Sequence, residues 1–451
     1  MNMQPEIDRR TFALIALGGL LAACGESGSS LSADGESADG ESRGTTVDST
    51  TTSPEPPSGP SAVLMAERET GADAALAARS VSSLGYDLFA AIVGGSEPGA
   101  NVTISPASIA IALAMVEPGT VAGAQEQMRA LLSIDDPAAF HASMNGLEQS
   151  LESRAPFSGG DGDAGEVTIR VGNAAFLQPG YPLEQPYLDT VGRFYGPVVN
   201  ELDFRSDPDA AVDAINTFVA DATEERITDP LTYGDITDDV VLALVNTLFL
   251  TASWFSPFAE NQTSTAPFTT NSGESVDVDM MSGSSEESIA GDGWVGASKF
   301  HVGGLTSQFV LPDPNRFDDV GTRLPDVFDE LTNSAGPGGE FRMPRFETRV
   351  DSPLNEPLKA LGLTDVFFPG SLLATADDPQ LFVSKIAHST FVAYDEEGVE
   401  AAATTIVLEN AESEPIAPPV AVVLDRPFFY RIVDRQSSAT LFLGRVMNPK
   451  A

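Results

Sequence analysis

Few residues in this chain are equipped for chemistry. Among the groups that bind metals or act as strong nucleophiles it has three histidines, His141, His301 and His388, and one cysteine, Cys24. There is no HExxH helix, no cysteine/histidine cluster and no GxxxxGK phosphate loop. Neither a catalytic metal nor nucleotide chemistry is indicated, and no cofactor is expected. Gly40-Glu41-Ser42-Arg43-Gly44 spells a nucleophile elbow, but no strand precedes it and no helix follows, so the match is accidental. Asp161-Gly162-Asp163 opens like a calcium loop and lacks the remaining acidic spacing, which leaves a solvated surface turn. Any serine could meet His388 in space, yet nothing nominates one for a Ser/His/Asp triad.

The informative segment lies near the C-terminus. Asp395-Glu396-Glu397-Gly398-Val399-Glu400-Ala401-Ala402-Ala403-Thr404-Thr405-Ile406-Val407-Leu408 follows an apolar strand pattern and runs into the polar, proline-rich stretch from Glu409 to Pro419. Small residues dominate where an exposed loop is ordinarily polar. With a period of two, Val399, Ala401, Ala403, Thr405 and Val407 share one face, so an exposed loop here is also competent to become a buried strand.

The elements that must carry such a loop can be read from periodicity. Apolar residues recur at three and four over Ala74 to Val93, Ser105 to Val116 and Gly123 to Leu132, which predicts helices. Val167 to Phe176 and Val240 to Leu250 read as strands, the second so continuously apolar that both its faces should be buried. Further strands are predicted at Gln308 to Leu311, Leu381 to Tyr394, Ala421 to Val433 and Phe442 to Val446. Helices gather early and strands late, an α+β arrangement with large sheets and no internal repeat.

Composition bounds the rest. At 451 residues, 42% hydrophobic and 20% charged, most of the chain can fold around a sizeable core. A net charge of −42 with only four lysines (Lys299, Lys359, Lys385 and Lys450) excludes a nucleic-acid footprint and a polybasic membrane patch. The acidity reads as a surface tuned for solubility or salty surroundings. One cysteine forms no internal disulfide. Arg9-Arg10 precedes an uncharged stretch, Thr11 to Ala23, too short to span a bilayer but suited to the apolar region of a signal peptide that is removed, not folded. Asp8 to Leu14 is similar to a twin-arginine export signal, and Leu21-Ala22-Ala23-Cys24 to a bacterial lipobox that would leave Cys24 as a lipidated N-terminus. The organisation expected is a signal at 1–23, a lipidated Cys24 with a Gly/Ser/Thr/Pro/acidic tether to 71, and one domain over 72–451.

That domain resembles the serpins, the serine protease inhibitor family. Ile104-Ser105-Pro106-Ala107-Ser108-Ile109 with Ala112 to Met115 is similar to the helix under the family's central sheet. Leu244-Val245-Asn246-Thr247-Leu248-Phe249-Leu250, continuing through Trp254 to Pro257-Phe258, resembles the central strand and the breach beside it. Lys385-Ile386-Ala387-His388 through Thr405 resembles strand five and the reactive-loop hinge, and Arg426-Pro427-Phe428 with Gly444 to Pro449 the C-terminal signature.

The resemblance implies a serpin-like α+β fold with a large central mixed sheet, two further sheets, a helical N-terminal half and an exposed reactive-centre loop. It implies an inhibitor, not an enzyme: a monomer that a serine protease attacks as a substrate and that holds it in a covalent complex by inserting the cleaved loop into the central sheet. Ser105, Ser108, Asn246 and His388 match the shutter, where the central strands part, and Trp254 with the pair Arg345 and Glu396 matches the breach. The hinge would comprise Glu396, Glu397, Gly398, Val399, Glu400, Ala401, Ala402, Ala403, Thr404 and Thr405, with Val399 near the surface before cleavage. Counting seventeen residues from Glu396 places the reactive bond between Glu412 and Ser413. Val399 stands where the family more often has Thr or Ser, and Glu409 would face inward late in insertion. A non-inhibitory member that binds a ligand or partner is the alternative. Either would be exported and lipid-anchored outside the cell membrane.

Overall fold

In the computed structural model the described residues are 66–154, 166–334, 336–399 and 419–451, together with the backbone of 11–20. The chain opens on a strand, Thr11–Leu20 (β1), and then enters a helical stretch. Ala75–Gly95 (α1) leads through the short strand Val102–Ile104 (β2) into Pro106–Val116 (α2), Ala122–Leu131 (α3) and Pro137–Glu152 (α4). The Ser105 hydroxyl accepts from Ser108 N–H and Pro106 occupies the first turn, so α2 begins where the sequence signature starts. Every residue of α2 is buried, because it lies beneath the central sheet with protein all around it.

Strands and helices then alternate: Val167–Leu177 (β3), Gln185–Tyr195 (α5), Val198–Glu201 (β4), Pro208–Ala222 (α6) and Val240–Ser253 (β5). A run of antiparallel strands follows, Ser264–Thr269 (β6), Ser275–Ser284 (β7), Glu287–Gly291 (β8), Trp294–Phe300 (β9) and Leu305–Pro312 (β10). Phe317–Gly321 (α7) and Leu324–Asn333 (α8) precede Glu340–Pro344 (β11), Phe346–Pro353 (β12) and Asn355–Ala360 (α9). The last strands are Phe382–Tyr394 (β13), Gly398–Val399 (β14), Val422–Val423 (β15), Phe428–Asp434 (β16) and Thr440–Val446 (β17).

These build the expected α+β architecture with three sheets. The central one is mixed, ordered β12-β13-β1-β5-β3-β4 with β14 added against the end of β5. A six-stranded sheet, β2-β17-β16-β10-β9-β8, and a four-stranded one, β15-β11-β7-β6, complete the fold. As its apolar run requires, β5 is buried along nearly its whole length. The strand expected over Ala421 to Val433 is instead two, β15 and β16 in different sheets, because Pro427 can donate no ladder bond and the chain crosses between sheets there.

The largest departure is at the N-terminus. In the 451-residue chain Thr11–Leu20 is folded rather than left free, pairing in parallel with β13 on one side and β5 on the other. The gap between those strands presents unpaired backbone groups, and an uncharged ten-residue strand satisfies both rows. The twin arginines, the lipobox with Cys24, the tether as far as residue 65, Gly40 to Gly44 and Asp161 to Asp163 lie outside the described residues. The expected end of the tether, 66–71, is instead fixed to the domain, with Arg68 on Glu148, Glu69 N–H donating to Arg193 O at 2.8 Å and Gly71 N–H to Gln149 Oε1 at 3.0 Å.

Candidate functional site

The site is built where β5, β13 and the chain after β13 meet. Trp254, the residue after β5, is fully buried in an aromatic stack: its ring lies 4.1 Å from His301 and 5.6 Å from Tyr394, with Phe258 edge-on at 6.2 Å. Its Nε1–H donates to Asp395 O at 3.0 Å, and its backbone N–H to Glu397 O at 2.8 Å. Phe258 N–H donates to Glu396 O at 2.9 Å. Three successive carbonyls of the hinge are therefore clamped to one aromatic cluster.

The Glu396 side chain adds a fourth hold. Arg345 Nη2 lies 2.7 and 2.6 Å from its two oxygens, and Thr263 Oγ1 donates at 2.5 Å. Glu396 is only 4% exposed while the Arg345 side chain is 49% exposed, so this is a buried carboxylate held by a cation that keeps contact with water, not a surface pair. Burial opposes ionisation there, but the bonds from Thr263 and Arg345 prevail and hold the carboxyl below its usual range.

His301 supports the tryptophan from below. Its Nδ1 donates to Ala252 O at 3.0 Å and its Nε2 faces Ser307 Oγ at 2.7 Å, which in turn meets Tyr394 Oη at 2.8 Å. Burial pushes this imidazole down to about 3, so it stays neutral. Nothing in the sequence marked His301 for this part; its only signal is a histidine at the end of an apolar strand pattern.

The hinge then turns. Asp395 Oδ1 accepts from Glu397 N–H at 2.9 Å and Gly398 N–H at 3.1 Å, closing an Asx turn. A Cβ on Gly398 would lie 2.3 Å from Ala252 O, so only glycine lets the chain come this close to β5. Gly398 and Val399 pair antiparallel with Ser253 and Ala252. Val399, expected near the surface, is instead completely buried: this apolar side chain already fills the first place in the sheet. Glu400, Ala401, Ala402, Ala403, Thr404, Thr405, Glu409 and the bond Glu412–Ser413 lie outside the described residues.

Lower in the sheet, Ser105, Ser108, Asn246 and His388 are all buried. Ser105 N–H donates to His388 Nε2 at 3.0 Å, tying the start of α2 to β13. Asn246 is not brought to His388: Ala16 of β1 stands in register between them. It donates instead to Asn173 Oδ1 at 2.8 Å, and Asn173 Nδ2 donates at 2.8 Å to Glu148 Oε2, which also takes Arg68 Nη2 at 2.8 Å. Asn173 and Glu148 were missed by the sequence reading. Their signal, a polar residue inside an apolar strand and a carboxylate on a helix's buried face, looks the same as a solvated position until the packing is known.

Glu148 makes this cluster sensitive to pH. Burial pushes its carboxyl up to about 8, outweighing Arg68. Between its ordinary value, 4.5, and about 8 the folded chain keeps a proton that the unfolded chain has released, so stability must fall as pH rises through that window. The parent is expected to lose a few kcal/mol, roughly, between pH 5 and 8.5, whereas Glu148→Gln, which still accepts from Asn173 and Arg68, should show a flatter profile. Parallel slopes in denaturant unfolding across that range would exclude the assignment.

The comparisons with known proteins agree with this arrangement. The family model for the serpins, serine protease inhibitors, matches residues 79–449. Rat (Rattus norvegicus) neuroserpin is 28% identical over 369 residues, covering 78% of this chain and 86% of that protein. The pig (Sus scrofa) leukocyte elastase inhibitor is 29% identical over 380 residues, covering 80% and 97%. The structure of Arabidopsis AtSerpin1 in its native stressed conformation superposes with a TM-score of 0.73 at 20% identity, covering 84% of this chain and all of that one.

Proposed function

The chain belongs to the serpin family, and from that membership we propose that it is a suicide-substrate inhibitor of an extracytoplasmic serine protease. The protease serine attacks the loop carbonyl, the peptide C–N bond breaks, and an ester joins the two proteins while the new amine terminus leaves with the C-terminal fragment. Water would normally hydrolyse that ester. Insertion of the freed loop between β5 and β13 carries the protease away and distorts its site first.

The observation that carries this reading is the start of insertion at Gly398 and Val399. Since β5 and β13 both run parallel to β1, they run parallel to each other, and a chain that turns back from β13 lies antiparallel to both. Pairing of β14 with β5 sets that direction and its register. Beyond Glu400, which alternation would turn to the face opposite Val399, Ala401, Ala402 and Ala403 carry no bulk or charge to oppose continued pairing. A loop segment gaining ladders on both sides makes on the order of ten new hydrogen bonds, each worth ~1 kcal/mol net, which is enough to drive the step. The resting protein is then held kinetically.

Mixing the protein with a panel of serine proteases should give an SDS-resistant band at the summed mass. The released C-terminal peptide should begin at Ser413, and a different N-terminus in its mass spectrum would move the reactive bond. Cleavage by every protease without such a band would end the inhibitory reading. It would favour ligand carriage in the 680 Å³ cavity lined by Tyr86, Thr306, Gln308, Arg431 and Arg435. The inhibitory reading stands first because Arg431, one of three arginines lining that cavity with Arg79 and Arg435, is already committed to Gln308 Oε1, Tyr86 Oη, Thr332 Oγ1 and Phe328 O.

The same proposal places the protein outside the cell membrane on a lipidated Cys24, after a hydrophilic tether long enough to let the loop reach a protease. Cys24→Ala should move the protein from the membrane pellet to the soluble fraction in a detergent-free wash. Retention in the pellet would exclude the anchor.

A further inference from the structure

The slot that the inhibitory reading requires is already full in the 451-residue chain. Thr11 to Gly19 pair with Phe382 to Phe391 of β13, and Thr11 to Leu20 with Val240 to Leu250 of β5. Directly above, β14 pairs with Ala252 and Ser253. Continuing that antiparallel register, Glu400 would fall opposite Thr251 and Ala401 opposite Leu250, the residue that Leu20 already pairs. The two strands meet end to end in one slot, and the hinge can advance by a single residue before it is stopped.

We propose that the gap between β5 and β13 is a strand-binding site for this chain's own residues 11–20, and that a chain retaining them is a substrate of its target protease rather than an inhibitor. The proposal rests on the inhibitory reading above for its consequence but not for the contact itself. The two occupants exclude each other because they need the same N–H and C=O groups of β5 and β13. They are not equivalent. Residues 11–20 run parallel to both neighbours, whereas a strand returning from β13 runs antiparallel, the slightly more stable pairing per residue. Gly18 and Gly19, which weaken a strand, stand at the end that faces the hinge. The plug is therefore weakest where the loop would enter. The cut expected between Ala23 and Cys24 falls just past Leu20 and severs the plug from the inhibitor, so processing at the lipobox both frees the N-terminus for its anchor and opens the sheet.

The test compares the full-length chain with one beginning at residue 24, each carrying Cys24→Ser so that lipidation plays no part. Inhibitor molecules consumed per protease inactivated should be about one for the shortened chain and more than tenfold higher for the full-length one. Leu14→Pro in the full-length chain, which removes a ladder donor in mid-strand, should restore the low value. Equal stoichiometry for the full-length and shortened chains would overturn the proposal. Amide hydrogen exchange reports the contact independently of inhibition. Residues 11–20 should be protected in the full-length chain and lose protection in Leu14→Pro. Protection without trapping by either chain keeps the plug and removes the inhibitory reading, whereas exchange at free-peptide rates removes the plug whatever the protease result.

Discussion

Ala401→Arg in the processed chain is expected to turn the inhibitor into a substrate. Val399 is buried in the sheet, and with a period of two Ala401 follows it onto the same inward face as soon as insertion proceeds. An arginine there must leave water between apolar strands, at a cost of several kcal/mol unless its head reaches solvent. Each ~1.4 kcal/mol slows a step tenfold. Hydrolysis of the ester by water is unaffected by the change, so it wins, and the protease departs active after cleaving the loop at an ordinary rate. Stoichiometry should rise from about one to well above ten. The same substitution at Val399 would be a poorer test, because Val399 is already packed in the resting protein and an arginine there would perturb the fold before any protease arrived. For Ala401→Arg the melting temperature is expected to stay within about 2 °C of the parent, which separates a lost trap from misfolding. A variant that still traps protease at near one-to-one would exclude loop insertion as the mechanism.

How much of this could be read from the sequence follows from which signals are local. Strand β5 was legible because a strand buried on both faces leaves an unbroken apolar run, and α2 because apolar residues recur at three and four from Ser105 to Val116. Trp254, Arg345 and Glu396 were found through a family pattern, but their geometry was not: only the fold shows that Glu396 is buried and Arg345 half in water. The state of Val399 could not be read, since an alternating small and apolar segment has the same pattern whether it waits outside the sheet or has begun to enter. The strand at Thr11–Leu20 was read as a leader because an uncharged apolar stretch after two arginines has one obvious use. Its second use depends on a gap between β5 and β13, which are more than a hundred residues apart in sequence. Helices α4 and α6 were missed because their apolar stripes are interrupted by the polar residues His141, Glu148 and Asn216, all of which turn out to be buried.

Loss of the Trp254 ring should have the largest effect on stability. Three aromatic neighbours, the Ala252 to Ser253 end of β5 and the hinge carbonyls converge on it, and Lys299 Nζ lies 5.3 Å from its centroid and 4.6 Å from that of Phe258. Trp254→Ala removes a fully buried ring and leaves a cavity, at a cost of about 3–5 kcal/mol. It also deprives Lys299, held by Ser256 O at 2.6 Å and Ser284 O at 3.0 Å, of one of its two aromatic faces, that of Phe258 remaining. Trp254→Phe keeps most of the stacking and loses the Nε1–H bond to Asp395 O, worth about 1 kcal/mol. The difference between the two variants separates packing from the hinge bond. If the cluster clamps the hinge, Trp254→Phe should unfold at nearly the parental denaturant midpoint, yet exchange the Glu396 to Gly398 amides faster than the parent. Unchanged exchange at those amides, with Trp254→Ala also within about 1 kcal/mol of the parent, would show that the hinge is held from elsewhere. The backbone N–H groups of Trp254 and Phe258 on the Glu397 and Glu396 carbonyls, with Arg345 and Thr263 on the Glu396 carboxylate, would then be the groups that hold it.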